Sequence, residues 1–192
     1  MRNVLSLLAL LFLSCPPDQS EPERAAQSRP VTGSAAALNA PPQDTLFTGT
    51  LEAVRRLRPG TTRGTLRAAR TAPHAGYDRV VFEFAGDSVP GYVVTYAAKP
   101  VRRCGSGDLV ALGGARQLVV RFEPARAHDD QANVTIAARE ASPGLPAVKD
   151  LKLVCDFEGQ VEWALGVAAA LPYRVEELAG PARLIVDVRH RP

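Results

Sequence analysis

An all-β fold, a β-sandwich of short antiparallel strands or a partly open barrel, is what this sequence predicts, on three observations. Alternation is the first. In Arg79–Phe84, Val80, Phe82 and Phe84 share one side of an extended chain. Leu118, Val120 and Phe122 do the same, as do Leu151, Leu153 and Cys155 against Lys152 and Asp156, and Leu184, Val186 and Val188 against Asp187 and Arg189. A period of two marks a strand with one face in a core, so Cys155 is expected on an inner face. The second observation is punctuation: Gly86-Asp87-Ser88, Gly105-Ser106-Gly107-Asp108 and Pro143-Gly144 separate these runs with residues that favour turns. The third is that no helical period of useful length is present outside a candidate at Trp163–Leu171.

The elements follow in order. Residues 1–15 begin with Arg2 in a short charged stub and continue with an apolar run over Val4–Leu13. That run is too short for a bilayer, which needs about 20 residues, and has the layout of a signal peptide. Leu13-Ser14-Cys15 ahead of Pro16-Pro17 resembles a bacterial lipobox, which implies lipidation of Cys15; the alternative is an ordinary signal peptide in which Cys15 is incidental. Both readings export the chain. The lipobox would leave it anchored in the cell membrane, facing the extracytoplasmic side, and the alternative would leave it secreted.

Residues 16–44 are rich in Pro, Ser, Ala, Gln and Glu, with no run able to pack, and are expected to be a disordered tether. A flexible coil of about thirty residues reaches roughly 30 Å. The β-domain is expected over residues 45–192, with its core at about 62–189. At its start, Thr48–Arg55 is echoed by Arg63–Arg70, two short strand candidates that gather Arg55, Arg56, Arg58, Arg63, Arg67 and Arg70. These arginines read either as a collar for anionic wall polymer or lipid or as a solvated entry segment. Further strand candidates are Tyr92–Ala97, Val134–Ala137, Val161–Leu165 and Tyr173–Leu178. A second echo links Val80–Phe84, followed by Pro90-Gly91-Tyr92, with Val161–Leu165, followed by Pro172-Tyr173. Two similar halves packed face to face would produce it.

Composition narrows the function. Apolar residues make up 46% of the chain, enough for a real core, and the net charge of +3 from 23 basic and 20 acidic residues does not suggest a nucleic-acid partner. No nucleophile elbow, His-Glu-x-x-His or phosphate-binding loop is present, so no catalytic residue, cofactor or metal is predicted. His74, His128 and His190 lie too far apart for paired-ligand spacing. His128-Asp129-Asp130 reads as a general base, a weak cation site or a polar turn. Asp78-Arg79 and Asp187 with Arg189 read as flanking surface charges. Cys104 and Cys155 are an even pair in an exported domain and are expected to form a disulfide.

Gly76–Phe84, Val89–Tyr92 and Pro181–Val188, together with Cys104–Gly107, Ala127-His128-Asp129, Val148–Lys152, Cys155–Gly159 and Trp163 with Leu165-Gly166, resemble the AMIN-like domain lipoproteins of actinobacteria. The better-known AMIN domains are sandwiches of two similar sheets that bind peptidoglycan and localise an enzyme or a pore. The resemblance therefore implies a non-catalytic, membrane-anchored envelope module whose partner is peptidoglycan or another envelope polymer. The competing readings are a lipoprotein that docks an envelope protein, such as an enzyme or secretion component, and a hydrolase with a loop-built site. Candidate binding residues are Tyr77, Tyr92 and Tyr173, to stack on a sugar or else to lie half-buried in strands, with Asp78, Arg79, His128 and Asp129 as polar partners.

Overall fold

The computed structural model describes residues 47–192. The expected signal peptide, Cys15 and all of the expected tether lie outside them. Among the described residues eleven strands are formed: β1 (Val54–Arg56), β2 (Gly64–His74), β3 (Tyr77–Phe84), β4 (Tyr92–Tyr96), β5 (Arg116–Phe122), β6 (Ala125–Arg126), β7 (Glu140–Ala141), β8 (Val148–Phe157), β9 (Gln160–Val167), β10 (Tyr173–Leu178) and β11 (Arg183–Arg189). They build a six-stranded sheet ordered β1-β4-β5-β9-β8-β7 and a five-stranded sheet ordered β10-β11-β3-β2-β6. All pairings are antiparallel except the short β2–β6 contact. The result is an all-β sandwich, as the alternation predicts.

The core lies between the sheets. Val80, Phe82 and Phe84 from β3 and Leu184, Val186 and Val188 from β11 meet Leu118, Val120 and Phe122 from β5 and Trp163 and Leu165 from β9. Phe82 packs on Phe122 and Trp163, with ring centroids 5.2 and 5.8 Å apart, and Phe84 on Phe122 at 4.9 Å, in the tilted geometries aromatic rings prefer.

A second, smaller core on the outer side of the six-stranded sheet explains two differences from the sequence reading. Val101 and Val110 fold over Val154 and Ala164 there, so β9 is buried on both faces. A strand covered twice loses its alternation, which is why Trp163–Leu171 reads like a helix when it begins as a strand. Cys155 is the other correction. The register shifts between Leu153, opposite Trp163, and Cys155, opposite Glu162, so the bulge turns Cys155 to the outer side. There it bonds Cys104 and ties the covering loop to the sheet.

Val134–Ala137 forms no strand; its ladder contact is an isolated bridge between Val134 and His128, and the Thr135 hydroxyl donates to the Leu66 carbonyl at 2.6 Å. Thr48–Arg55 contributes only the start of β1 and a bridge between Thr50 and Tyr173. The second echo has a structural counterpart. The connection from β3 to β4 crosses from the five-stranded to the six-stranded sheet, and that from β9 to β10 crosses back.

Candidate functional site

The outer face of the five-stranded sheet gathers the polar residues around Tyr77. Because Val80, Phe82 and Phe84 point into the core, the period of two sends Tyr77, Arg79, Val81 and Glu83 outward. Register then builds rows across the sheet. Arg174 of β10 stands opposite Asp187 of β11, which stands opposite Arg79 of β3. Arg79 donates to Asp187 through Nε at 2.7 Å and Nη2 at 2.9 Å, and Arg174 donates through Nε at 2.9 Å. Asp187 is thus 1% exposed beneath two guanidiniums, and the hydrogen bond to it, against the cost of burial, raises the Arg79 pKa further. Bidentate arginine–carboxylate pairs of this kind fix orientation as well as charge.

Aromatic rings bracket that row. Tyr77 and His74, paired across the β2–β3 hairpin, stack with centroids 4.9 Å apart and planes 5° off parallel. The Arg174 guanidinium lies 4.9 Å from the Tyr77 centroid and 4.6 Å from that of Phe47. Phe47 arrives on a segment fixed by paired backbone hydrogen bonds between Thr50 and Tyr173, of 2.8 and 2.9 Å. Gly49 is needed in that segment, because a Cβ there would sit 2.7 Å from the Phe47 ring.

The other candidate residues occupy different places. Asp78 points inward and is fully buried: Oδ2 accepts the Ala147 and Val148 N–H groups at 2.6 and 2.9 Å, and Oδ1 lies 2.7 Å from His190 Nε2. Neither Asp78 nor Asp187 is a flanking surface charge, since each is the acceptor on which a group of donors converges. Tyr92 and Tyr173 are 7% and 0% exposed, so of the three candidate tyrosines Tyr77 alone reaches the surface. Its ring faces His74 and arginines, which leaves the open face of the stack on exposed His74.

His128 and Asp129 belong to a loop that packs against β8. His128 Nδ1 lies 3.0 and 3.1 Å from the Asp156 oxygens, and Asp156 also accepts the Ala127 N–H at 3.0 Å. Asp129 accepts from Asn133 Nδ2 at 3.0 Å, Asn133 N at 2.8 Å and Gln131 N at 2.9 Å, which holds its carboxyl below the usual range; Asp130 pairs with Arg126. The segment is a turn built around a carboxylate. Among the described residues no group of three or more His, Cys, Asp and Glu converges on a metal position.

Of the entry arginines, Arg56 and Arg58 both pair with Glu177, at 3.1 and 2.8 Å, and Arg70 pairs with Glu83 at 2.7 Å. Phe47, His74, Arg174, Asp187 and Arg189 escape the sequence search for binding residues, because their grouping depends on β10, β11, β3 and β2 being neighbours. The Pro181–Val188 motif is the one signal that bears on this set.

Sandwich, crossing connections and an ordered polar outer face define a two-sheet all-β domain. The model of the AMIN-like domain matches residues 64–190, and the chain belongs to that family. No curated protein and no solved structure matches it.

Proposed function

We propose that this protein is a non-catalytic binding module of the cell envelope, exported and held to the membrane through Cys15, and that it recognises peptidoglycan. The observation that carries the reading is the Arg79–Asp187–Arg174 row. It places two guanidiniums, oriented by one buried carboxylate, beside a histidine–tyrosine stack on an open sheet face. Fixed donors beside a flat ring suit a polymer of sugars and acidic peptides, because little side-chain entropy remains to be lost on binding. Family membership supports association with the envelope.

The test is co-sedimentation of the full chain, in mild detergent, with peptidoglycan sacculi across a salt series. Saturable pelleting that survives physiological salt is expected. Pelleting lost at modest salt would assign binding to diffuse arginine charge instead. The alternative of docking an envelope protein is favoured by a notch of about 400 Å³ lined by Leu57, Pro59 and Pro124, where Leu57 is 77% exposed. Absence of pelleting, with crosslinking to a single envelope protein at the membrane, would select it.

A further inference from the structure

The row next to Arg79–Asp187–Arg174 carries donors that no ion pair among the described residues uses. Arg189 of β11 stands opposite Tyr77, and Tyr77 opposite His74 of β2. Arg79 lies two residues along β3 on the same face, so these four side chains start about 5 to 7 Å from their neighbours. Arg79 meets Asp187 through Nε and Nη2, which leaves Nη1 uncommitted to it. Arg189 and His74 are exposed, and among the described residues Arg189 has no ion-pair partner. Of the carboxylates of this face, Asp187 is buried beneath its guanidiniums and Glu83 is taken by Arg70; exposed Glu176 stands opposite Ile185, at the level of Val81 rather than of Tyr77, and reaches Arg79 through its charge alone, with no hydrogen bond.

Phe47 closes the opposite side of the row. Its ring is 6% exposed and lies on Arg174, which makes Arg174 a positioning residue that holds Asp187 and, through it, Arg79. We infer that Arg79 Nη1 and Arg189, with Tyr77 beside both in register and His74 as the flanking ring, bind a carboxylate group of the wall polymer. This rests on the peptidoglycan reading and adds to it the group recognised. A planar carboxylate can accept from both guanidiniums at once, which gives the site a preference for the acidic groups of wall peptides over neutral sugar.

The experiment uses the full chain and three sacculus preparations: untreated, carboxyl-amidated, and stripped of phosphate polymers with hydrofluoric acid. Binding is expected to be unchanged by phosphate removal and to weaken about tenfold or more on amidation. Arg189→Gln is expected to weaken binding to untreated sacculi about tenfold, the scale of one charge-assisted hydrogen bond, while Arg183→Gln, farther down the same face, leaves it unchanged. Equal losses in the two variants, insensitivity to amidation, or loss only on phosphate removal would each overturn the carboxylate site while leaving wall binding intact. Failure of the unsubstituted chain to bind any preparation would overturn the peptidoglycan reading and the carboxylate site with it.

Discussion

Tyr92 and Tyr173 mirror each other across one side of the sandwich. Tyr92 opens β4 and its hydroxyl lies 3.1 Å from Glu177 on β10; Tyr173 opens β10 and its hydroxyl lies 2.8 Å from the Val94 carbonyl on β4. Each follows a proline and a crossing from one sheet to the other, so the repeated sequence marks two equivalent seams. Glu177 ties the first seam to the entry segment. Burial opposes ionisation of its carboxyl, but Arg58, Tyr92 and Arg56 together hold it below the usual range.

These seams predict alkaline sensitivity. Burial pushes the Tyr92 and Tyr173 phenols up to about 12, with the Glu177 charge adding to the shift at Tyr92. An unfolded tyrosine titrates near 10, so the folded state keeps these protons more tightly. The stabilisation is complete below about pH 10 and is lost as pH rises toward 12. Urea unfolding at pH 8, 10 and 11 should show stability falling over the last step. Tyr173→Phe should be about 1 to 2 kcal/mol less stable at pH 8, since the Val94 and Glu52 carbonyls lose their shared donor, and should fall less steeply.

Asp78 predicts a larger effect. It joins β3 of one sheet to the start of β8 in the other through two backbone N–H groups and also meets His190. Asp78→Ala would strand those buried donors, and a loss of about 3 to 5 kcal/mol is expected, the range for breaking a buried charged network. Asp78→Asn keeps one acceptor and should lose less. Denaturant midpoints of the two variants check the order; equal, small losses would count against the network.

The contrast between these residues shows what the sequence exposes. Inward residues of β3, β5 and β11 are legible because alternation is local. Tyr77, Asp78 and Arg79 are adjacent in the chain yet face outward, inward and outward, and the partner of Arg79 lies 108 residues away. No local pattern reports that distance. Tyr92 and Tyr173 resemble Tyr77 as strand-opening tyrosines, but the remote acceptors that admit their phenols to the interior become visible only once β4 and β10 face each other. Cys155 is misread for a related reason, since one extra residue in β8 reverses the faces beyond it.

The disulfide tests the loop that covers β9. Cys104 and Cys155 are 51 residues apart, and in the chain-entropy model a loop of that size stabilises by about 4 kcal/mol. Reduction or the Cys104→Ser/Cys155→Ser pair should lower the thermal midpoint by several degrees or more. The loss should concentrate first in the loop, where Val101 and Val110 meet Val154 and Ala164, and amide exchange should speed up there before it does in β3 and β11.

Trp163 gives a prediction of opposite character. It is 1% exposed and packs on Phe82, but its indole Nε1 is buried with no hydrogen-bond partner among the described residues. Packing therefore stabilises the residue while its polar atom opposes it. Trp163→Phe removes the stranded donor and keeps most of the ring, so the cavity cost and the desolvation gain offset, and a change below about 1.5 kcal/mol is expected. Trp163→Ala removes the packing as well and should cost about 3 to 5 kcal/mol. Chemical denaturation of both variants separates the contributions: a loss for Trp163→Phe as large as that for Trp163→Ala would mean that the indole nitrogen is satisfied in solution, and that its hydrogen bond, not only its ring, holds the two sheets together.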